Sequence, residues 1–128
     1  GQHTIVREHA SIHAATSESQ PPPIGAHCFL MASTHLGHDC QVGNRVILVN
    51  YAGLRGHTEV GDNVTISGHC GTHQFTRIGR LAFFSGGTHV GMDVPPFSVV
   101  NERQRLGGSN HVGMRRYGIS RQDFTQVR

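Results

Sequence analysis

The stretch Ile24-Gly25-Ala26-His27-Cys28-Phe29-Leu30-Met31-Ala32-Ser33-Thr34-His35-Leu36-Gly37-His38-Asp39-Cys40-Gln41-Val42-Gly43 repeats a pattern of six residues. The apolar residue that opens it returns at Leu30, Leu36 and Val42, then at Leu48, Leu54, Val60, Ile66, Ile78, Phe84 and Val90, with Thr72 as the polar exception. The fifth place of each hexad is small, running Cys28, Thr34, Cys40, Val46, Ala52, Thr58, Val64, Cys70, Thr76, Ala82, Thr88 and Val94. A helix would show a period of about 3.6 and an amphipathic strand a period of two, and neither accommodates a strict six. Glycine follows the leading aliphatic at Gly25, Gly37, Gly43, Gly61, Gly79 and Gly91. A tight corner with dihedrals open to glycine is the expected reason.

Each hexad therefore reads as one short strand and a corner, with a large and a small side chain both pointing inward. Three hexads close a triangle, and stacked coils pair as parallel strands about 4.8 Å apart, each hiding its apolar interior against its neighbours. The expected fold is all-β, a parallel β-helix. Its repeat is clean from Ile24 to Val94, while Val6 and Ile12 keep phase upstream. Between them the polar, Pro-rich Ser17 to Pro23 reads as a loop bulging from the wall, and Pro95-Pro96 reads as the end of the repeat. We assign residues 1–98 to the β-helix domain and 99–128 to an Arg-rich extended crossing, Val99 to Gly108, followed by the start of a C-terminal helix. Ser120 and Asp123 resemble the capping box of that helix.

Composition limits the function classes. The 128 residues fit one core, and the 17 glycines, 6% aromatic content and lack of Trp mean that small residues do the packing. Eleven arginines, no lysine and eight carboxylates make a net charge of +3, a mild basic balance suited to an acidic or phosphate-bearing partner. No basic stripe interleaved with aromatics argues for nucleic acid. Apolar runs fall far short of the roughly 20 residues a bilayer span needs, so membrane insertion is not expected. Three cysteines, an odd number, fit a reducing, cytoplasmic setting rather than a disulfide framework.

Eleven histidines are the compositional oddity, and the register says which of them meet. An eighteen-residue coil stacks His38, Gly56 and Gln74 on one edge, sets His57 one residue beyond Gly56 and His73 one before Gln74, and places His35 above Gly53 and Gly71. Read functionally, this is a cleft in which a neutral imidazole accepts a proton near neutral pH and Asp39 orients the ring of its neighbour His38. Read blandly, these are polar corner residues facing solvent, and the pattern leaves both open. A metal site is the competitor, but His69 and His73 straddle a corner and no histidine triplet has a persuasive ligand spacing. Cys28, Cys40 and Cys70 fall in three different inward columns, which suits core filling. Arg115-Arg116 suits phosphate oxygens or a plain solvated face; Phe83-Phe84 suits an acyl groove, or for Phe84 the core.

The run Leu30 to Arg45, with its His38-Asp39-Cys40, resembles the catalytic segment of the UDP-N-acetylglucosamine O-acyltransferases of lipid A synthesis. Leu54-Arg55-Gly56-His57, Thr72-His73-Gln74-Phe75, Asp93-Val94-Pro95-Pro96 and Arg115-Arg116-Tyr117-Gly118-Ile119-Ser120-Arg121 extend the resemblance over nearly the whole chain. It implies a left-handed coil, a cytoplasmic homotrimer with sites between subunits, and transfer of a 3-hydroxyacyl chain from acyl carrier protein to the 3-hydroxyl of UDP-N-acetylglucosamine. His38 matches the general base and Gly56 the residue whose backbone N–H faces the oxyanion. His35, His57, Gly68, His73 and Gln74 match substrate-contacting positions, Arg116 an arginine near phosphate, Gly86 the position that limits acyl length, and Met31 lies in the segment of the acyl groove.

No cofactor and no resident metal are implied. The partners implied are the acyl carrier protein, with Arg77, Arg80, Arg103 and Arg105 as docking candidates, and UDP-N-acetylglucosamine. Two positions depart from the family pattern: Arg55 replaces a small residue beside the oxyanion glycine, and Val112 replaces a carboxylate that helps hold the nucleotide sugar. Other functions to be weighed are a zinc-dependent, carbonic anhydrase-like β-helix enzyme and a catalytically silent trimeric binding module.

Overall fold

Two inward side chains per hexad leave the backbone one way to bury them, which is to turn after every short strand. In the computed structural model of the protein, which describes residues 1–18, 23–101 and 106–126, this produces a parallel β-solenoid with three walls. The first wall stacks Ile5–Val6, Phe29–Leu30, Ile47–Leu48, Thr65–Ile66, Phe83–Phe84 and Ser98–Val100 in parallel and is closed by the antiparallel Leu106–Ser109. The second holds Ser11–Ile12, His35–Leu36, Gly53–Leu54, Gly71–Thr72 and His89–Val90, and the third Gln41–Val42, Glu59–Val60 and Arg77–Ile78.

The interior is the two inward columns. Leu30, Leu36, Leu48, Leu54, Ile66 and Phe84 are fully buried, and Val46, Ala52, Val64 and Ala82 fill the small places between them. Each such large side chain stabilises the fold by about 1.5–3 kcal/mol through burial. Polar residues in the small column need partners: Thr34, Thr58, Thr76 and Thr88 each donate Oγ1 to the carbonyl three residues back. The Sγ atoms of Cys28, Cys40 and Cys70 contact carbonyls of the following coil at 3.1–3.2 Å. Thr72, the break in the aliphatic column, bonds Thr58 Oγ1 at 2.9 Å and accepts the Arg55 N–H at 3.2 Å.

The corners do not work as the glycine pattern predicts. Positive φ falls on the fourth hexad residue, at His27, Ser33, Asp39, Arg45, Tyr51, His57, Asn63, His69, Phe75 and Leu81. The glycines after the leading aliphatic stay outside that region. Except at Gly91, where a Cβ would meet nothing within 4 Å, their role is close approach: a Cβ on Gly25 would lie 2.5 Å from the Gly43 carbonyl oxygen, and one on Gly43 2.5 Å from Asp62 Oδ1. Left-handed backbone costs a non-glycine residue about 1–2 kcal/mol. Two buried side chains per hexad offset it.

Two register changes interrupt the coil. Ile5 pairs with Phe29 and Ile12 with Leu36, so the first coil carries six extra residues, accommodated by the segment expected to bulge; its residues 19–22 lie outside the described residues. At the other end the repeat does not stop at Pro95-Pro96. Val94 bridges Ile78 and Phe83 pairs with Val99, a coil shortened by two residues. Val94, assigned by the period to the small column, therefore takes the place of the large aliphatic, and Ser98–Val100 lies across the expected boundary at residue 98. Helix α1 (His111–Arg116), capped by Asn110 Oδ1 on the Gly113 N–H, was not expected. The Ser120–Asp123 pair opens a short 3₁₀ turn, Asp123–Gln126. No helix among the described residues is long and apolar enough to cross a membrane.

Candidate active site

At the corner between the second and third walls, one position of the coil stacks Asp39, His57 and Phe75, with φ values of 59°, 58° and 61°. The preceding position stacks His38, Gly56 and Gln74. Left-handed backbone at these corners brings the side chains of successive coils into register. His57 N–H donates to the His38 carbonyl at 3.0 Å and Phe75 N–H to that of Gly56 at 3.2 Å, and the His57 ring lies parallel on Phe75 with centroids 4.5 Å apart.

Asp39 is the electrostatic centre of this corner. Its side chain is 1% exposed, while those of His38 and His57 are 44% and 38% exposed. Oδ2 lies 2.8 Å from His38 Nδ1 and 3.6 Å from His57 Nε2. Oδ1 accepts the Thr16 N–H at 2.8 Å, and Thr16 Oγ1 reaches both oxygens. The hydrogen bond from His38, followed by that of the Thr16 N–H, holds the carboxyl at about 2 rather than 3.8, against the opposing effect of burial. An ionised carboxylate can only accept. The proton between the two groups therefore sits on His38 Nδ1, which leaves the lone pair of the neutral ring on Nε2.

That Nε2 lies over Gly56. A Cβ built on Gly56 would be 2.7 Å from Nε2 and 2.8 Å from Cε1, so only glycine leaves the ring where it is. Gly56 is buried, and among the described residues its N–H donates no hydrogen bond to another protein group.

Beside the corner, the second wall presents an open groove of about 660 Å³. His35, Gly53, Gly71 and His89 pair along its floor, and Arg55, His69 and His73 also line it, with no carboxylate among the lining residues. His35 Nδ1 shares a hydrogen bond with Ser11 Oγ at 2.8 Å; burial, then the nearby His13, lowers its pKa below 6.5. Burial raises the thiols of Cys40 and Cys70, so neither offers a thiolate nucleophile.

The bacterial transferase hexapeptide (six repeats) model matches residues 24–56, and that of UDP N-acetylglucosamine O-acyltransferase, Domain 2, matches residues 93–128. An acyl-(acyl-carrier-protein)-UDP-N-acetylglucosamine O-acyltransferase of Syntrophobacter fumaroxidans is 47% identical over 94% of this chain and 48% of its own length. One of Anaeromyxobacter sp. (strain Fw109-5) is 45% identical over 100% of this chain and 51% of its own. The chain is a relative of the UDP-N-acetylglucosamine O-acyltransferases. It superposes on the UDP-N-acetylglucosamine acyltransferase structure from Arabidopsis with a TM-score of 0.93 at 39% identity, covering 98% of this chain and 44% of that one. The chain spans about half the length of the curated acyltransferases it matches.

Not all the residues singled out from resemblance to these acyltransferases converge within one chain. His38, Asp39, Gly56 and His57 share the corner; His35 and His73 line the adjoining groove, and Gln74 is exposed one coil beyond Gly56. Gly68 and Gly86 stack at the opposite edge of the second wall, where the Gly87 N–H reaches the Gly68 carbonyl, and Met31 lies on that same edge. Arg116 is on α1, over the outer face of the first wall, in a groove it shares with Arg45, Phe83 and Tyr117. Arg77 faces Glu59 at 4.0 Å, and the Arg80 guanidinium lies over the rings of Phe97 and Tyr117. Arg103 and Arg105 fall outside the described residues.

Thr16, Ser11 and Phe75 were not identified from sequence as supports of the site. Phe75 was within reach, being one coil from His57. Thr16 was not, because the insertion in the first coil breaks the eighteen-residue offset that would have aligned it with Asp39.

Proposed function

We propose that this chain forms the catalytic core of an acyl-carrier-protein-dependent UDP-N-acetylglucosamine O-acyltransferase in lipid A biosynthesis. The observation that supports it best is the corner itself: an imidazole whose Nδ1 is held by a buried carboxylate and whose Nε2 overlies a glycine with an N–H that, among the described residues, no protein group accepts. Acyl transfer to an alcohol needs these two functions, a proton acceptor for the hydroxyl and a donor for the carbonyl oxygen.

In this reading His38 Nε2 takes the proton of the sugar 3-hydroxyl as its oxygen bonds to the thioester carbonyl carbon. The carbonyl electrons move onto oxygen, where the Gly56 N–H stabilises them. When the tetrahedral intermediate collapses, the carbon–sulfur bond breaks and the imidazolium returns its proton to the departing thiolate of the carrier. Asp39 keeps the ring in the required tautomer and offsets its transient charge, as the carboxylate of a catalytic triad does.

His35, His57, Gly68, His73 and Gln74 contact substrate in this reading, Met31 and Gly86 border the acyl chain, and Arg116 meets phosphate. The distance in the fold between Arg116 and His38 is the reason to assign the site to a homotrimer, in which the second residue set comes from a neighbouring subunit. The partners are acidic acyl carrier protein and UDP-N-acetylglucosamine, in the cytoplasm. The test is consumption of a 3-hydroxyacyl carrier thioester in the presence of UDP-N-acetylglucosamine, with the O-acylated sugar nucleotide identified by mass spectrometry. Thioester loss that does not depend on the sugar nucleotide would overturn the reading.

A further inference from the structure

The sequence offers no histidine triplet with metal-ligand spacing, but the third ligand need not be histidine. His38, Asp39 and His57 each direct one donor atom into the same corner, and all three atoms lie within 4.8 Å of one another. We propose that His38 Nδ1, Asp39 Oδ2 and His57 Nε2 form a binding site for a zinc-class divalent ion, and that filling it switches the active site off. The binding half stands on geometry alone; the switching half rests on His38 being the base, as proposed above.

Zinc bonds to imidazole nitrogen at about 2.0–2.1 Å and to carboxylate oxygen at about 2.0–2.2 Å. Tetrahedral angles then put neighbouring donor atoms roughly 3.3 Å apart. Here Asp39 Oδ2 is 2.8 Å from His38 Nδ1 and 3.6 Å from His57 Nε2, values on either side of that spacing. The two imidazole donor atoms lie within 4.8 Å of each other, and both rings are partly exposed, so rotation of the rings can close that separation without a change in the coil.

The surroundings are those of a supported ligand set. Thr16 anchors Asp39 Oδ1 through its N–H and hydroxyl, the kind of outer contact that orients a coordinating carboxylate. Phe75 stacks on His57 and limits its ring to one plane. Both imidazoles are partly open to solvent, which leaves an entry path and a fourth position for water. His3 with His27 and His13 with His35 also meet, but among the described residues neither pair has a carboxylate donor alongside. The adjacent Cys40 is no rival ligand, since its thiol is buried in the core and directed at the Arg55 carbonyl.

The consequence for chemistry lies in the tautomer. Without metal, His38 carries its proton on Nδ1 and accepts at Nε2. Bound to a cation through Nδ1, a neutral imidazole must carry that proton on Nε2 instead. The proton moves from one ring nitrogen to the other, so the ring's charge is unchanged, but the atom facing Gly56 is now a donor and cannot take a proton from a hydroxyl. Zinc would thus inhibit reversibly without displacing any residue of the coil.

The experiment titrates the whole chain, stripped of metal, with zinc in competition with a chromophoric chelator, and follows acyl transfer in the same samples. One ion per chain is expected to bind in competition with the chelator. His57→Gln and Asp39→Asn should each weaken binding at least about tenfold, whereas His69→Ala and His111→Ala should not change it; thermal melting confirms that each variant is folded. Binding that survives both His57→Gln and Asp39→Asn overturns the site. Turnover that persists with the site filled overturns the switch. A chain that binds zinc as described yet transfers no acyl group in its absence would retain the metal site and lose the function proposed above, so the two failures are distinguishable.

Discussion

Gly56→Ala isolates the geometry on which the proposed chemistry depends. The backbone at Gly56 is outside the left-handed region, so alanine introduces no strain of its own. Its Cβ would arrive 2.7 Å from His38 Nε2 and 2.8 Å from Cε1. Ordinary contact begins near 3.4 Å, so the ring must retreat by roughly 1 Å, a misplacement that can cost about 10²-fold in rate. Because the His38 side chain is 44% exposed, it can swing outward at little structural expense, giving up its bond to Asp39. Stability should therefore change by no more than about 1 kcal/mol, with the usual gain from Gly→Ala in the unfolded chain acting in the opposite direction. The assay pairs steady-state thioester consumption with thermal melting. A drop in kcat of about 10²-fold with an unchanged melting temperature is the expected result. If Gly56→Ala turned over at nearly the parent rate with the fold intact, the ring position over Gly56 would be irrelevant to catalysis and the assignment of both residues would fail.

His38→Ala should lower kcat by about 10²–10⁴-fold while leaving sugar-nucleotide affinity largely intact by calorimetry, with His111→Ala at parental rate. Stability should decline with acid in two steps, read by melting at fixed pH. A histidine with a lowered folded pKa, as at His35, favours folding less once pH drops below 6.5; the contribution of Asp39 is full above 3.8 and is lost as pH falls toward its folded value of about 2. Gly43→Ala drives a Cβ to 2.5 Å from Asp62 Oδ1 and should destabilise by about 1–3 kcal/mol, whereas Gly91→Ala, with nothing within 4 Å, should be neutral or stabilising by about 0.4–1 kcal/mol. Equal melting shifts for the two would refute the close-approach account of the corner glycines. Sedimentation equilibrium should find a trimer at micromolar concentration, and a monomer there would remove the inter-subunit assignment of Arg116.

The coil was legible in the sequence because its cause is local. Two inward side chains per hexad impose a period no other regular structure has, so the columns headed by Leu30 and Cys28 could be assigned residue by residue, and the stacking of His38 on Gly56 followed by counting. What counting could not reach was anything that depended on where the count changes. Thr16 meets Asp39 because an insertion rotates the first coil into place, and Val94 changes columns because the last coil is two residues short; both are consequences of chain length between fixed strands. Nor did residue type reveal how the corners turn. Glycine is where left-handed backbone is cheapest, yet here burial of the neighbouring side chains is strong enough to hold Asp39, His57 and Phe75 in that conformation, while Gly25, Gly37, Gly43, Gly61 and Gly79 stand where one coil touches the next. That Asp39, His57 and Phe75 share a column follows from the same eighteen-residue count; the tertiary structure alone decided that their side chains meet there, because left-handed geometry at the same point of successive coils turns a carboxylate, an imidazole and an aromatic ring toward one another.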